Sequence, residues 1–137
     1  MTAADMILIT DLIARVAQLA DEGDIDDYLD LFTADAVWEM TGDLAVPAQT
    51  RTGRLEIAEG VRQRRAGGVQ GPGSATRHIV SGTSVVPDGD HATAMSYWRF
   101  YTSTTSTPHL VGMGTYQDQL RRTDTTWRMS HRRITIG

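Results

Sequence analysis

The chain has 137 residues, a mass of 15.0 kDa and a formal net charge of −4, and it contains no cysteine. It also lacks lysine and asparagine, so all 13 basic residues are arginine. This composition excludes a lysine Schiff base, a P-loop lysine, a cysteine nucleophile, a thiolate zinc site and a disulfide framework. The length predicts one domain with an ordinary hydrophobic core.

Hydropathy predicts a cytoplasmic protein that does not interact with membranes. The apolar fraction of 40% and the charged fraction of 22% are typical of globular domains. The first ten residues lack the basic and apolar regions of a signal peptide, and no segment has the roughly 18–20 apolar residues of a membrane span.

Charge is distributed unevenly along the chain. Residues 1–48 hold eleven acidic residues and one arginine, whereas residues 49–137 hold six acidic residues and twelve arginines. The arginines are dispersed rather than gathered in one basic patch. We therefore expect them to pair with the acidic half, within the domain or between subunits, and we expect no binding to nucleic acid.

The first half of the chain has helical periodicity. Apolar residues recur at spacings of three and four between Met6 and Ala20, which predicts a first helix that ends near Gly23. Asp24 is predicted to be the N-cap of a second, shorter helix that extends through Phe32. The following segments are predicted as a short strand at 36–40, a loop at 41–53, a third helix at about 55–65 and a glycine-rich stretch at 66–73.

From residue 76 the hydrophobic period changes from 3.6 to 2. Runs rich in Thr, Val, Tyr and Trp predict long strands at about 76–86, 91–104, 110–122 and 126–136, with turns at 87–90 and 123–125. Helices followed by an antiparallel meander predict an α+β fold. Because these strands are about twice the usual length, we expect the sheet to curl into a cone with helices across its concave face.

Two neighbouring strands carry residues that would shape a pocket in such a cone. Side chains alternate between the two faces of a strand, so every second residue shares a face. In one strand the residues that share a face are Trp98, Phe100 and Thr102, and in the next they are Gly112, Gly114 and Tyr116. The glycines either open space opposite the aromatic rings or only permit the sheet to bend.

Histidine and aspartate are the residues best suited to acid–base chemistry in this chain. None of the four histidines has the spacing of a metal site. We expect His91 and His109 to be exposed, and the sequence does not determine on which face of its strand His131 lies. His78 opens the first long strand and is expected to be partly buried. Asp21 is either its carboxylate partner at the edge of the first helix or one solvated acid among several.

Several segments resemble, in the same order, those of SnoaL-like members of the NTF2-like superfamily. They are residues 13–38, with the motifs ADEGD and LFTADAVW, then TRHI at 76–79, AMSYW at 94–98, GTYQD at 114–118 and WRMSHR at 127–132. The resemblance implies one domain over residues 1–137 with an NTF2-like cone. It also implies a homodimer or higher homo-oligomer in which the outer face of the sheet is buried.

Within that family, scytalone dehydratase-like members have an aspartate at the end of the first helix and a histidine that opens the first long strand. These positions match Asp21 and His78. The resemblance implies that the carboxylate holds the far ring nitrogen while the near nitrogen moves a proton. Ala20, Met40 and Thr104 or a neighbour stand where the dehydratase has two tyrosines and a second histidine, so its substrate is not carried over.

The resulting hypothesis is a lyase or isomerase that needs neither metal nor organic cofactor. It would dehydrate, isomerise or cyclise a hydrophobic, ring-containing molecule, with His78 as general base and acid and Asp21 as the orienting carboxylate. The expected pocket residues are Trp38, Met40, Val80, Trp98, Phe100, Thr102, Gly114 and Tyr116. Two alternatives stay open: a non-catalytic cone for binding or oligomerisation, and an epoxide hydrolase-like enzyme that would use Arg99 and Asp118.

Overall fold

A computed structural model describes residues 2–43 and 47–137, so residues 44–46 of the predicted loop lie outside the description. The helices are α1 (Ala3–Glu22), α2 (Ile25–Leu29) and α3 (Gly53–Ala66). The strands are β1 (Phe32–Met40), β2 (Gln49–Thr52), β3 (Arg77–Asp88), β4 (His91–Thr102), β5 (His109–Thr123) and β6 (Thr126–Ile136). The order of helices before a meander of long strands is the one predicted.

The N-terminus of α1 is capped by its own sequence. Thr2 accepts a hydrogen bond from the backbone N–H of Asp5, and the Asp5 carboxylate accepts one from the backbone N–H of Thr2. This reciprocal capping satisfies two donors that the first turn would otherwise leave unpaired. The apolar stripe that includes Ile9, Ile13 and Val16 is buried against the sheet.

Two predicted boundaries between residues 24 and 53 are wrong. Asp24 caps α2 as expected, but the helix ends at Leu29 and not at Phe32. The buried Phe32 instead begins β1, which is longer than the predicted 36–40. Part of the predicted loop is β2, which is extended because it pairs along β1, from Val37 opposite Thr52 to Met40 opposite Gln49.

The sheet has six strands in the order β2-β1-β6-β5-β4-β3. All neighbouring strands are antiparallel except β1 and β6, which are parallel. Register shifts interrupt β3 between Ser81 and Ser84 and mark similar irregularities in the other long strands. Gly82 lies in the β3 irregularity with φ +65°. Such bulges bend a sheet, and the curved sheet with packed helices is the α+β cone that was predicted.

Ion pairs join the acidic first part of the chain to the basic second part. They are Arg77–Glu22, Arg121–Asp35, Arg122–Asp5 and Arg128–Asp30, with N–O distances between 2.8 and 3.5 Å. The expectation that the arginines pair with acids inside the domain is confirmed for these four. Within the described ranges, no helix has the length and apolar character needed to cross a membrane.

Candidate active site

A cavity of about 520 Å³ lies between the helices and the sheet. Its wall is largely apolar, and α1 contributes Val16, Ala17 and Ala20. Five of the eight residues that we expected in the pocket line this cavity: Trp38, Met40, Trp98, Phe100 and Tyr116. The volume is in the range of about 300–1,000 Å³ that is usual for small-molecule sites.

The other three expected residues lie outside the cavity lining. Val80 lines a second groove between α1 and β3. Thr102 is the last residue of β4 and pairs with the exposed His109. Gly114 is covered by Trp98, and a Cβ atom there would also lie 1.9 Å from the carbonyl oxygen of Thr135. Gly114 therefore permits close packing, whereas Gly112 lines the cavity.

Asp21 and His78 are held together by two hydrogen bonds. The Nδ1 atom of His78 lies 2.7 Å from one carboxylate oxygen of Asp21, and the backbone N–H of His78 donates to the other at 2.9 Å. Asp21 is in the last turn of α1 and His78 is the second residue of β3. The same carboxylate thus fixes both the strand end and the orientation of the ring.

The position of the pair determines which ring nitrogen can meet a ligand. The Asp21 carboxylate accepts from Nδ1–H, so Nε2 of the neutral ring carries the free lone pair. His78 lines the cavity, and its ring lies 4.6 Å from that of Phe100. The side chains of His78 and Asp21 are 17% and 6% exposed. His78 also borders the second groove, between α1 and β3, where Asp21 and Val80 lie.

The remaining histidines lie away from the cavity lining. His91 and His109 are exposed, as expected. His131 contacts Glu39, with Nε2 2.8 Å from the carboxylate. Arg99 alternates with the inward-facing Trp98 on β4 and is likewise absent from the cavity lining. Arg99 therefore does not join Asp118 in the arrangement that epoxide hydrolysis would need.

Asp118 forms a buried ion pair below the cavity wall. Arg132 donates to both of its carboxylate oxygens, at 2.8 and 3.0 Å, and the Arg132 guanidinium lies 3.7 Å from the centre of the Tyr116 ring. Burial raises the pKa of the Tyr116 hydroxyl to about 12, against the lowering effect of Arg132. Tyr116 is therefore a protonated hydrogen-bond donor at neutral pH.

Sequence reasoning missed several residues of the cavity wall. Arg132, Tyr28 and Arg64 all line it. Arg64 follows the fully buried Val61 by three residues, so the helical period of α3 already places it on the inward side. Among the residues that the structure describes, no group of three or more His, Asp or Glu could hold a metal ion.

Comparison with known proteins identifies the family. Residues 1–133 match the SnoaL-like domain. No curated protein matches the chain. A protein of unknown function with a cystatin-like fold from Nostoc punctiforme is 23% identical, with a TM-score of 0.84 over 100% of this chain and 94% of that one.

Two structures from Novosphingobium aromaticivorans are also similar. An NTF2-like protein with a cystatin-like fold is 26% identical, with a TM-score of 0.81 over 97% of this chain and 82% of that one. The beta subunit of a putative aromatic-ring-hydroxylating dioxygenase is 19% identical, with a TM-score of 0.75 over 97% and 88%. With a family match over almost its whole length and the cone described above, the chain belongs to the SnoaL-like family of the NTF2-like superfamily.

Proposed function

We propose that the protein is a cofactor-independent lyase or isomerase that moves a proton on a hydrophobic, ring-containing molecule. The observation that carries the proposal is that His78 lines a largely apolar cavity while its ring is hydrogen-bonded to Asp21. A general base must present a lone pair to the substrate in a fixed orientation, and the two hydrogen bonds from His78 to Asp21 supply that orientation.

The proposed reaction begins at a carbon next to a carbonyl group. Nε2 of His78 removes a proton from this carbon, and the electron pair moves toward the carbonyl oxygen to form an enolate. The imidazolium that results is stabilised by the Asp21 carboxylate. The protonated ring then returns the proton to a leaving hydroxyl, which departs as water, or to another carbon, which shifts the double bond.

The cavity wall supports this chemistry in two ways. Its apolar residues exclude water, so that hydrogen bonds to a developing charge are stronger than in solution. The Tyr116 hydroxyl, whose pKa burial raises to about 12, is protonated at neutral pH, and it is the candidate donor to the enolate oxygen. General acid–base catalysis of this kind contributes roughly 10²–10⁴-fold to the rate.

The test measures how fast the acidic carbon-bound hydrogen of a compound is exchanged for deuterium. NMR monitors this exchange for each member of a panel of hydroxylated cyclic ketones and naphthols. We expect wild-type protein to catalyse exchange for part of the panel, and His78→Ala to lose at least about 10²-fold in rate. Asp21→Asn should lose part of the rate, because its amide can still accept one hydrogen bond but carries no charge. The exposed His91→Gln is the matched control and should exchange at the wild-type rate.

Retention of exchange by a folded His78→Ala variant would contradict the proposed mechanism. Binding of panel members by wild-type protein without any exchange would instead support the alternative of a binding cone. The circular dichroism spectrum of each variant is compared with that of wild-type protein, so that a loss of exchange rate can be distinguished from a loss of folded structure.

The proposal also includes a homodimer formed through the outer face of the sheet. Met95, Tyr97 and Met113 are 40–54% exposed on this face, and their strands are adjacent. Light scattering after size exclusion measures the mass directly. The substitutions Tyr97→Ser and Met113→Ser should shift a dimer toward monomer, and a monomeric wild-type protein would refute this part.

A further inference from the structure

Arg64 is a cation in the cavity wall that has no acidic partner. Among the described residues, its side chain takes part in no ion pair and donates no hydrogen bond. The four residues outside the description, Met1 and Leu-Ala-Val at 44–46, carry no acidic side chain. The other cavity-lining arginine, Arg132, is already paired with Asp118 through Nε and Nη2. The two arginines therefore differ in what they can offer a ligand.

The contacts that Arg64 does make leave its donors available. The guanidinium carbon lies 4.9 Å from the centre of the Trp38 ring, in a cation–π contact. The contact engages the charge of the guanidinium group with the face of the indole ring, and within the described residues its N–H donors have no hydrogen-bond acceptor. A Cβ atom at Gly60 would lie 3.1 Å from Nη1 of Arg64, so the absence of a side chain at Gly60 makes room for this position.

A second arginine adds positive charge at the same place. Nε of Arg51 would lie 3.3 Å from a Cβ atom at Gly60, and Nη2 of Arg51 donates to Gln63 at 2.9 Å. Burial lowers the pKa of Arg64, and the charge of Arg51 lowers it further, against the opposing effect of Tyr28. An anion beside Arg64 would relieve both of these unfavourable effects.

We infer that Arg64 binds a carboxylate of the ligand, so that the substrate class is a hydrophobic, ring-containing carboxylic acid. This inference rests on the proposed function, because it assigns a second contact within the same cavity. A planar carboxylate matches the fork of guanidinium donors. A phosphate would bring more charge and more acceptors than the one guanidinium without an ion pair can satisfy in a largely apolar wall.

The two contacts would orient the substrate. Arg64 packs over Trp38 of β1, whereas His78 belongs to β3, and three strands separate β1 from β3 in the sheet. A ligand that reaches both groups therefore spans the cavity. Its carboxylate lies on the side of α3 and β1, and its reacting carbon lies on the side of α1 and β3. Arg64 is in this sense a specificity-determining residue, distinct from the proton-transferring pair.

The experiment compares two ligands of nearly equal size, 1-naphthylacetate and its neutral amide, 1-naphthylacetamide. Dissociation constants are measured by calorimetry or tryptophan quenching at pH 7. Wild-type protein should bind the acid at least 10-fold more tightly than the amide. Arg64→Gln should weaken binding of the acid by about 10–100-fold, which is the usual effect of a lost charge-assisted hydrogen bond. The same substitution should change the affinity for the amide by less than about threefold.

Three further variants complete the design. Arg64→Lys should restore part of the preference for the acid, because it restores the charge without the fork. The exposed Arg62→Gln, on the same helix, removes the same charge and should bind both ligands as wild type does. His78→Gln should keep the preference for the acid, because it affects only proton transfer.

The outcomes separate this inference from the proposed function. Equal affinity of wild-type protein for the acid and the amide, or unchanged binding of the acid by Arg64→Gln, would overturn the role of Arg64 and leave the proton-transfer proposal standing. A preference for the acid that Arg64→Gln abolishes would support the inference even if no panel compound undergoes exchange. Failure of wild-type protein to bind either ligand would overturn the inference and also count against a cavity for ring-containing molecules.

Discussion

Removing the carboxylate of Asp118 tests whether the buried ion pair holds the cavity wall in place. The side chains of Asp118 and Arg132 are 0% and 4% exposed, and two hydrogen bonds join them. In Asp118→Ala the guanidinium would keep its charge without a partner, because arginine does not lose its proton in proteins. Breaking a buried pair in this way costs about 3–5 kcal/mol.

This cost is large beside the free energy of unfolding of a domain, which is about 5–15 kcal/mol. For a chain of this length it corresponds to a fall in melting temperature on the order of 10–20 °C. Urea unfolding, followed by the fluorescence of the three tryptophans, measures the change. Trp98 is a suitable reporter because its ring stacks on Tyr116, with 6.1 Å between the ring centres.

Two comparison variants show whether burial is the cause. The double variant Asp118→Leu/Arg132→Met removes both charges and should be more stable than Asp118→Ala. Asp35→Asn breaks the exposed pair with Arg121 and should shift the unfolding midpoint much less. The reasoning would be refuted if Asp118→Ala unfolded at the wild-type urea concentration, or if the double variant were no more stable than Asp118→Ala.

Three other predictions concern single residues. Gly114→Ala should unfold at a lower urea concentration than wild type, because its Cβ atom would lie 1.9 Å from a backbone oxygen. In the control Gly112→Ala the nearest contact of the Cβ atom is at 3.8 Å, so this variant should fold normally and only reduce ligand affinity. A hydrogen bond from Arg122 lowers the pKa of Asp5, so this carboxylate stabilises the fold above its unfolded pKa of about 3.9. Asp5→Asn should therefore be destabilised at pH 7 and approach wild type in urea unfolding at pH 3; equal differences at both pH values would contradict this. Tyr116→Phe should slow deuterium exchange without altering its pH profile below pH 10, because the hydroxyl titrates near pH 12.

The parts of the fold that could be predicted are those in which local residues determine the structure. The stripe from Ile9 to Val16 and the alternation along β4 each identify an element without reference to the rest of the chain. β2 has no such pattern, and it is extended only because β1 offers it a pairing edge. The end of α2 was misplaced for a similar reason, since Phe32 belongs to a strand that pairs with distant residues of β6.

The candidate site could be predicted only in part. The resemblance indicated Asp21 and His78, and the structure places them 2.7 Å apart. The alternation of Trp98 and Phe100 correctly placed both in the cavity wall, but the same alternation failed for Thr102 because the strand ends there. Arg64 was missed although the helical period of α3 places it on the inward side, because its contact with Trp38 of β1 depends on how the helix packs on the sheet.

The parallel pairing of β1 with β6 has a consequence for how the protein is made. Glu39 and His131, which meet across this pairing, are 92 residues apart. During synthesis, β1 and the helices beside it leave the ribosome long before their partner strand exists. Closing so long a loop is entropically costly. The concave face of the sheet should therefore be complete only after β6 has been translated, and until then the apolar side of β1 can be covered only by elements already made, such as α3.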